Sequence, residues 1–122
     1  MARPLVVGIA GNQTAALEAW AREALPVDLV TSSASLGVRK PDPRFFEHLV
    51  DLVGGPSDEV AYVGDRIDND VVPAIAGGMR AVWLRRGPWG VIQELPEDVR
   101  PALVVGSLAE LADRIAEAWP VA

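Results

Sequence analysis

The stretch Val60-Ala61-Tyr62-Val63-Gly64-Asp65-Arg66-Ile67-Asp68-Asn69-Asp70 constrains this chain more than any other. Apolar, β-prone residues run into Gly64-Asp65 and helix-compatible residues follow, which predicts a buried strand, a tight turn and a helix start. Asp65 then stands at the carboxyl end of a strand, the edge at which open α/β sheets bind ligands. An acid directly after a buried strand needs a cation or several donors to offset its desolvation, so Asp65 is a candidate for holding a cation. Asp70 is expected to point back toward it from the first helical turn. Asp68 and Asp70 also suit a helix amino terminus through capping and the macrodipole, a reading that needs no ligand.

The rest of the chain alternates strand and helix signals. Leu5 to Ile9 reads as a strand, and Gly11-Asn12-Gln13-Thr14 turns into a helix with Leu17, Trp20, Ala21 and Ala24 at helical spacing. Asn12 or Thr14 suits the N-cap, and the N–H groups of Gly11 to Gln13 suit an anion at that helix start. Val27 to Thr31 is a second strand, and Ser32 to Val38 a polar loop. Lys40-Pro41-Asp42-Pro43 follows, with Asp42 placed to cap a helix whose apolar stripe is Phe46, Leu49, Val50 and Val53, and with His48 off that stripe. Val71 to Ala76 reads as helix, Arg80 to Leu84 as strand, and Arg85 to Gly90 as a rigid loop that is either a plain surface turn with Trp89 packed or a place where Trp89 and the Arg85-Arg86 pair meet a substrate anion or a partner surface. Ala102 to Val105 suits a last edge strand, and Ser107 with Glu110 forms a capping box before Leu108, Leu111, Ile115 and Trp119. Such alternation gives an α/β fold, a parallel sheet with helices on both faces, and 1–122 is expected to form a single domain.

Composition removes whole classes of function. The 122 residues contain no cysteine and one histidine, which excludes disulfides, thiolate nucleophiles and cysteine-ligated metals. A net charge of −6 repels phosphate backbones, so nucleic acid is not an expected partner. No apolar run approaches the roughly 20 residues that a membrane span needs, and the expected location is cytoplasmic.

Three pieces together, Val38-Arg39-Lys40-Pro41-Asp42-Pro43, Tyr62-Val63-Gly64-Asp65-Arg66 with Asp70, and Ala76-Gly77-Gly78-Met79, resemble the haloacid dehalogenase-like (HAD) hydrolase superfamily. The resemblance implies a Rossmann-like sheet and phosphatase-type chemistry with Mg2+ on a small phosphorylated substrate. It implies that Lys40 stabilises nucleophile and phosphoryl charge, that Asp65 ligates the metal and that Asp70 supports the site. Where the family carries a serine or threonine for the phosphoryl oxygen, this chain has Gly11-Asn12, whose N–H groups or side-chain amide suit the same task.

One element of the family pattern is missing from these residues. The nucleophile aspartate belongs to an Asp-x-Asp-x-Thr/Val pattern after an amino-terminal strand, and the one Asp-x-Asp here, Asp68-Asn69-Asp70, is part of the other motif. The resemblance therefore implies the carboxyl-terminal half of such an enzyme, without the central nucleophile strand and cap. A chain of this kind is expected to be inactive alone, with the gap in its sheet filled by direct pairing of the two flanking strands, by a strand from a second copy or by a separate amino-terminal half. The competing expectation is a non-catalytic assembly or ligand-binding module. A phosphoacceptor receiver domain fits badly, because its lysine follows its acids whereas Lys40 precedes Asp65.

Overall fold

The computed structural model describes residues 5–119, and its chain divides into two compact units, Met1–Val53 and Gly54–Ala122. In the first, β1 (Gly8–Gly11) pairs in parallel with β2 (Leu29–Ser32), in the register Gly8↔Leu29 to Gly11↔Ser32. Pairing extends one step beyond the strands. Asp28 N–H donates to the Val7 carbonyl and Val7 N–H donates to Asp28 Oδ2, both at 2.8 Å.

Helix α1 (Ala15–Ala24) starts where Thr14 Oγ1 accepts from Leu17 N–H at 3.2 Å, so Thr14 rather than Asn12 is the cap. The large residues of its apolar stripe, however, face outward. Leu17 and Trp20 are 43% and 59% exposed, while Glu18 is 7% exposed and buried beside Ala21. Glu18 is satisfied by its surroundings: Ser32 Oγ donates to it at 2.7 Å, Ser35 Oγ at 2.8 Å and Arg22 at 2.9 Å. These donors, Ser32 first, hold its carboxyl at about 2, below the ordinary 4.5. The stretch expected as a polar loop contains a short helix, α2 (Ser33–Leu36), closed by Gly37 at φ 72°, where a side chain would be strained. Helix α3 (Pro43–Val53) buries Phe45, Phe46 and Leu49, with the two phenyl rings edge to face at 5.4 Å.

The second unit is built on a parallel three-stranded sheet in the order β3 (Ala61–Gly64), β4 (Arg80–Leu84), β5 (Leu103–Val105). β4, paired on both sides, carries the core: Val82 and Leu84 pack with Leu103, Val105 and Ala118, and Val63, Leu111 and Trp119 close around them. β5 is an edge strand, as its short apolar run predicts. The helix after β3 begins earlier than apolar periodicity suggests, with a π turn at Ile67–Val71 running into α4 (Val72–Ala76). The expected Arg85–Gly90 loop is instead mostly helix, α5 (Gly87–Ile92), with Pro88 in its first turn and the Gly90 carbonyl accepting from Arg85 Nε at 3.3 Å. Helix α6 (Leu108–Arg114) is capped by Ser107 Oγ, while Glu110 reaches back to Gly106 N–H at 2.9 Å. Among the described residues no helix is long and apolar enough to cross a membrane.

Candidate active site

In the first unit the site residues gather where β1 ends. Asn12 uses both ends of its amide on one residue: Oδ1 accepts from Lys40 N–H at 2.8 Å and Nδ2 donates to the Lys40 carbonyl at 3.2 Å. The next residue is tied to the following loop, since Gln13 N–H donates to Ser33 Oγ at 3.1 Å. Of the three N–H groups that suited an anion, that of Gln13 is therefore taken internally. The Asn12 amide, a possible stand-in for the family hydroxyl, is engaged in holding the main chain that bears Lys40. Asp42 caps as expected, accepting from Arg44 N–H at 2.9 Å. Arg44 also grips it with its side chain at 2.8 and 3.2 Å, and holds its carboxyl at about 2.

In the second unit Asp65 follows a β3 that is half-buried rather than buried, and is itself exposed, so the desolvation expected of it does not arise; its carbonyl accepts from Trp83 Nε1 at 3.2 Å. Asp70 does point back. It is 3% exposed, and its Oδ2 accepts from Arg66 N–H at 3.2 Å while its Oδ1 accepts from Tyr62 OH at 3.3 Å. The carboxyl lies so close over Gly64 that a Cβ there would overlap Asp70 Cβ and Cγ and sit 2.6 Å from Oδ2. Only glycine leaves room for it. Burial, and then the Asp70 charge, push the Tyr62 phenol far above its usual range, so it stays a proton donor to that acid.

Asp68 does not cap the turn. It receives Arg66 at 2.7 and 3.2 Å and Gln93 Nε2 at 2.8 Å, and Arg66 first of all keeps its carboxyl below the ordinary value. Arg66 in turn lies 4.1 Å over the Trp89 ring, so Trp89 packs against an arginine of the acidic turn. Gln93 also accepts from Ile67 N–H at 2.8 Å. Trp83, Gln93, Ser33 and Glu18 carry contacts that sequence reasoning missed. No local pattern announces them, since each acts on a residue distant in the chain.

The donor chemistry suits a hard cation: Asp65 offers carboxylate oxygens at an exposed sheet edge, and Mg2+ is commonly held by one or two carboxylates with water completing its shell. Among the described residues no group of three or more His, Asp or Glu gathers closely enough to hold a metal by itself.

A family model described as HAD-hydrolase-like matches residues 37–111. A glyceraldehyde 3-phosphate phosphatase from Methanopyrus kandleri is 34% identical over 88 residues, covering 72% of this chain and 38% of that protein. A phosphoserine phosphatase from Thermus thermophilus is 42% identical over 83 residues, covering 68% of this chain and 32% of that protein. Among solved structures, a HAD phosphatase from Thermococcus onnurineus superimposes with a TM-score of 0.74 at 23% identity, covering 92% of this chain and 51% of that one. YfnB of Bacillus subtilis, bound to magnesium, gives 0.74 at 16% identity, over 88% of this chain and 48% of that one. The chain thus spans about a third of the length of these curated relatives and about half of these solved structures.

Proposed function

The chain belongs to the HAD-hydrolase-like family, and from that membership we propose that it forms the phosphate- and magnesium-handling part of a phosphatase core. The observation that carries this reading is the pairing of an exposed Asp65 at the carboxyl end of a parallel strand with a buried Asp70 folded back over Gly64. Both units are proposed to be parts of one core domain. Lys40 supplies a fixed positive charge toward the phosphoryl group, and the main-chain N–H groups at Gly11 and Asn12 face its oxygens. Asp70 supports the Asp65 turn. Asp65 would hold Mg2+, which when bound neutralises charge on the phosphoryl oxygens. The substrate class is a small phosphate monoester, handled in the cytoplasm.

The attacking aspartate is proposed to lie on a strand outside these 122 residues, supplied by an amino-terminal half. The test is hydrolysis of p-nitrophenyl phosphate in Mg2+ by the 122-residue chain, alone and fused behind a strand bearing Asp-x-Asp-x-Thr from one of the phosphatase relatives. Turnover is expected from the fusion only, and is expected to vanish in its Asp65→Asn variant. Turnover by the chain alone that survives Asp65→Asn overturns the reading.

A second reading, a non-catalytic assembly module, is favoured by one observation. Leu17 and Trp20 of α1 and Leu5, Val6, Val7 and Ile9 of the β1 segment are all exposed, an apolar surface suited to another chain.

A further inference from the structure

Two side chains outside the acidic motif grip the main chain just after the Asp65 side chain, on either side of Arg66. Trp83 sits on β4 in register with Gly64, and its indole N–H donates to the Asp65 carbonyl at 3.2 Å. Gln93, one residue past α5, accepts from the Ile67 N–H at 2.8 Å. The anchored groups belong to the consecutive Asp65–Arg66 and Arg66–Ile67 peptides, with only the Arg66 Cα between them. The Arg66 N–H is itself held by Asp70 at 3.2 Å, and the Arg66 side chain by Asp68 and Trp89.

The two anchors differ in burial. Trp83 is 2% exposed, so its N–H needs an acceptor in any case, and the Asp65 carbonyl is the one it finds. Gln93 is only half-buried, where its amide would otherwise be hydrated at little cost. It nevertheless spends its acceptor on Ile67 and its donor on Asp68 at 2.8 Å. A carboxylate on a loose turn loses conformational freedom whenever it takes a cation, and a turn fixed beforehand avoids that loss.

We infer that Gln93 and Trp83 are positioning residues for the Asp65 carboxylate, fixing the backbone from which it meets a divalent cation. The inference rests on the proposed magnesium role of Asp65. Neither residue touches the cation. Both act through the main chain, as outer partners of metal ligands commonly do.

The test uses Mn2+ as the probe, titrated into the 122-residue chain, with the broadening of amide NMR signals read residue by residue. In the parent protein the broadening is expected to centre on residues 64–70. Gln93→Met keeps length and bulk while removing both hydrogen bonds. It is expected to weaken Mn2+ about tenfold, to speed hydrogen exchange at Ile67 N–H and to lower the thermal midpoint by no more than the loss of two hydrogen bonds accounts for. Trp83→Phe, which keeps a core ring without the donor, is expected to weaken Mn2+ in the same direction. A purely structural role for Gln93 would shift the midpoint and not the affinity. Localised broadening with equal affinity in the parent and in Gln93→Met overturns the positioning role and leaves the magnesium reading standing. Broadening that spares residues 64–70 in the parent overturns both.

Discussion

Asn12 clasps Lys40 across 28 positions of sequence, its Oδ1 taking the Lys40 N–H at 2.8 Å and its Nδ2 meeting the Lys40 carbonyl at 3.2 Å. A side-chain amide here pairs with a peptide much as a neighbouring strand would, and so fixes where the lysine leaves the main chain. Removing it in Asn12→Ala forfeits two hydrogen bonds, an expected loss of about 1–3 kcal/mol by urea unfolding. Asn12→Asp sharpens the test. It keeps the acceptor for Lys40 N–H but turns a carboxylate oxygen toward the Lys40 carbonyl, so it is expected to be at least as destabilising as alanine at neutral pH.

Gly64 is required by volume rather than by backbone angle, because Asp70 occupies the space a Cβ would need. Gly64→Ala is therefore expected to cost about 1–3 kcal/mol, the usual scale for overpacking. The same substitution displaces the acid from Tyr62 and Arg66 N–H. The measurable sign is faster hydrogen exchange at Arg66 N–H together with a lowered urea midpoint.

Glu18 makes stability depend on acid in a defined window. Its folded-state carboxyl titrates at about 2 against an ordinary 4.5, because Ser32, Ser35 and Arg22 all donate to the charged form. A group lowered in this way contributes stability that is fully present above about pH 4.5 and is lost as pH falls toward about 2. Glu18→Gln is expected to melt several degrees below the parent at pH 7. Thermal melts of the pair should converge as pH approaches about 2.

The exposed apolar side chains of α1 and of the β1 segment have a consequence for mass in solution. No charged residue occurs between Leu5 and Leu17, although the chain carries a net charge of −6, so two copies can meet there without opposing charges. Light scattering of the 122-residue chain is expected to exceed the mass of one copy. The double variant Ile9→Lys and Trp20→Lys is expected to return it to one copy, since both side chains are exposed and neither supports the core.

What the sequence made legible were the features encoded locally. Thr14 and Ser107 cap helices because a hydroxyl before an apolar run is a short-range signal, and Gly64-Asp65 ends a strand for the same kind of reason. Helix α5 was hidden by its own composition. Gly87, Pro88 and Gly90 suggest a turn, and the helix is secured from elsewhere, by Arg85 on the Gly90 carbonyl and by Arg66 on the Trp89 ring. The amphipathic reading of α1 placed Leu17 and Trp20 inside, whereas three donors distributed over α1, β2 and α2 draw Glu18 in instead. The backward turn of Asp70 over Gly64 followed from its place in the first helical turn. The contacts of Trp83 and Gln93 with the same turn did not, because a hydrogen bond between distant residues leaves no periodicity to read.

Tyr62 is the chain's single tyrosine, and its hydroxyl donates to the buried Asp70 at 3.3 Å. One phenolic chromophore therefore stands at the heart of the acidic turn. In rising alkali, intact molecules keep that ring neutral, while molecules whose turn has opened ionise it near the free phenol's ordinary value of about 10. Ultraviolet absorption by phenolate thus counts opened molecules with a label the polypeptide already carries.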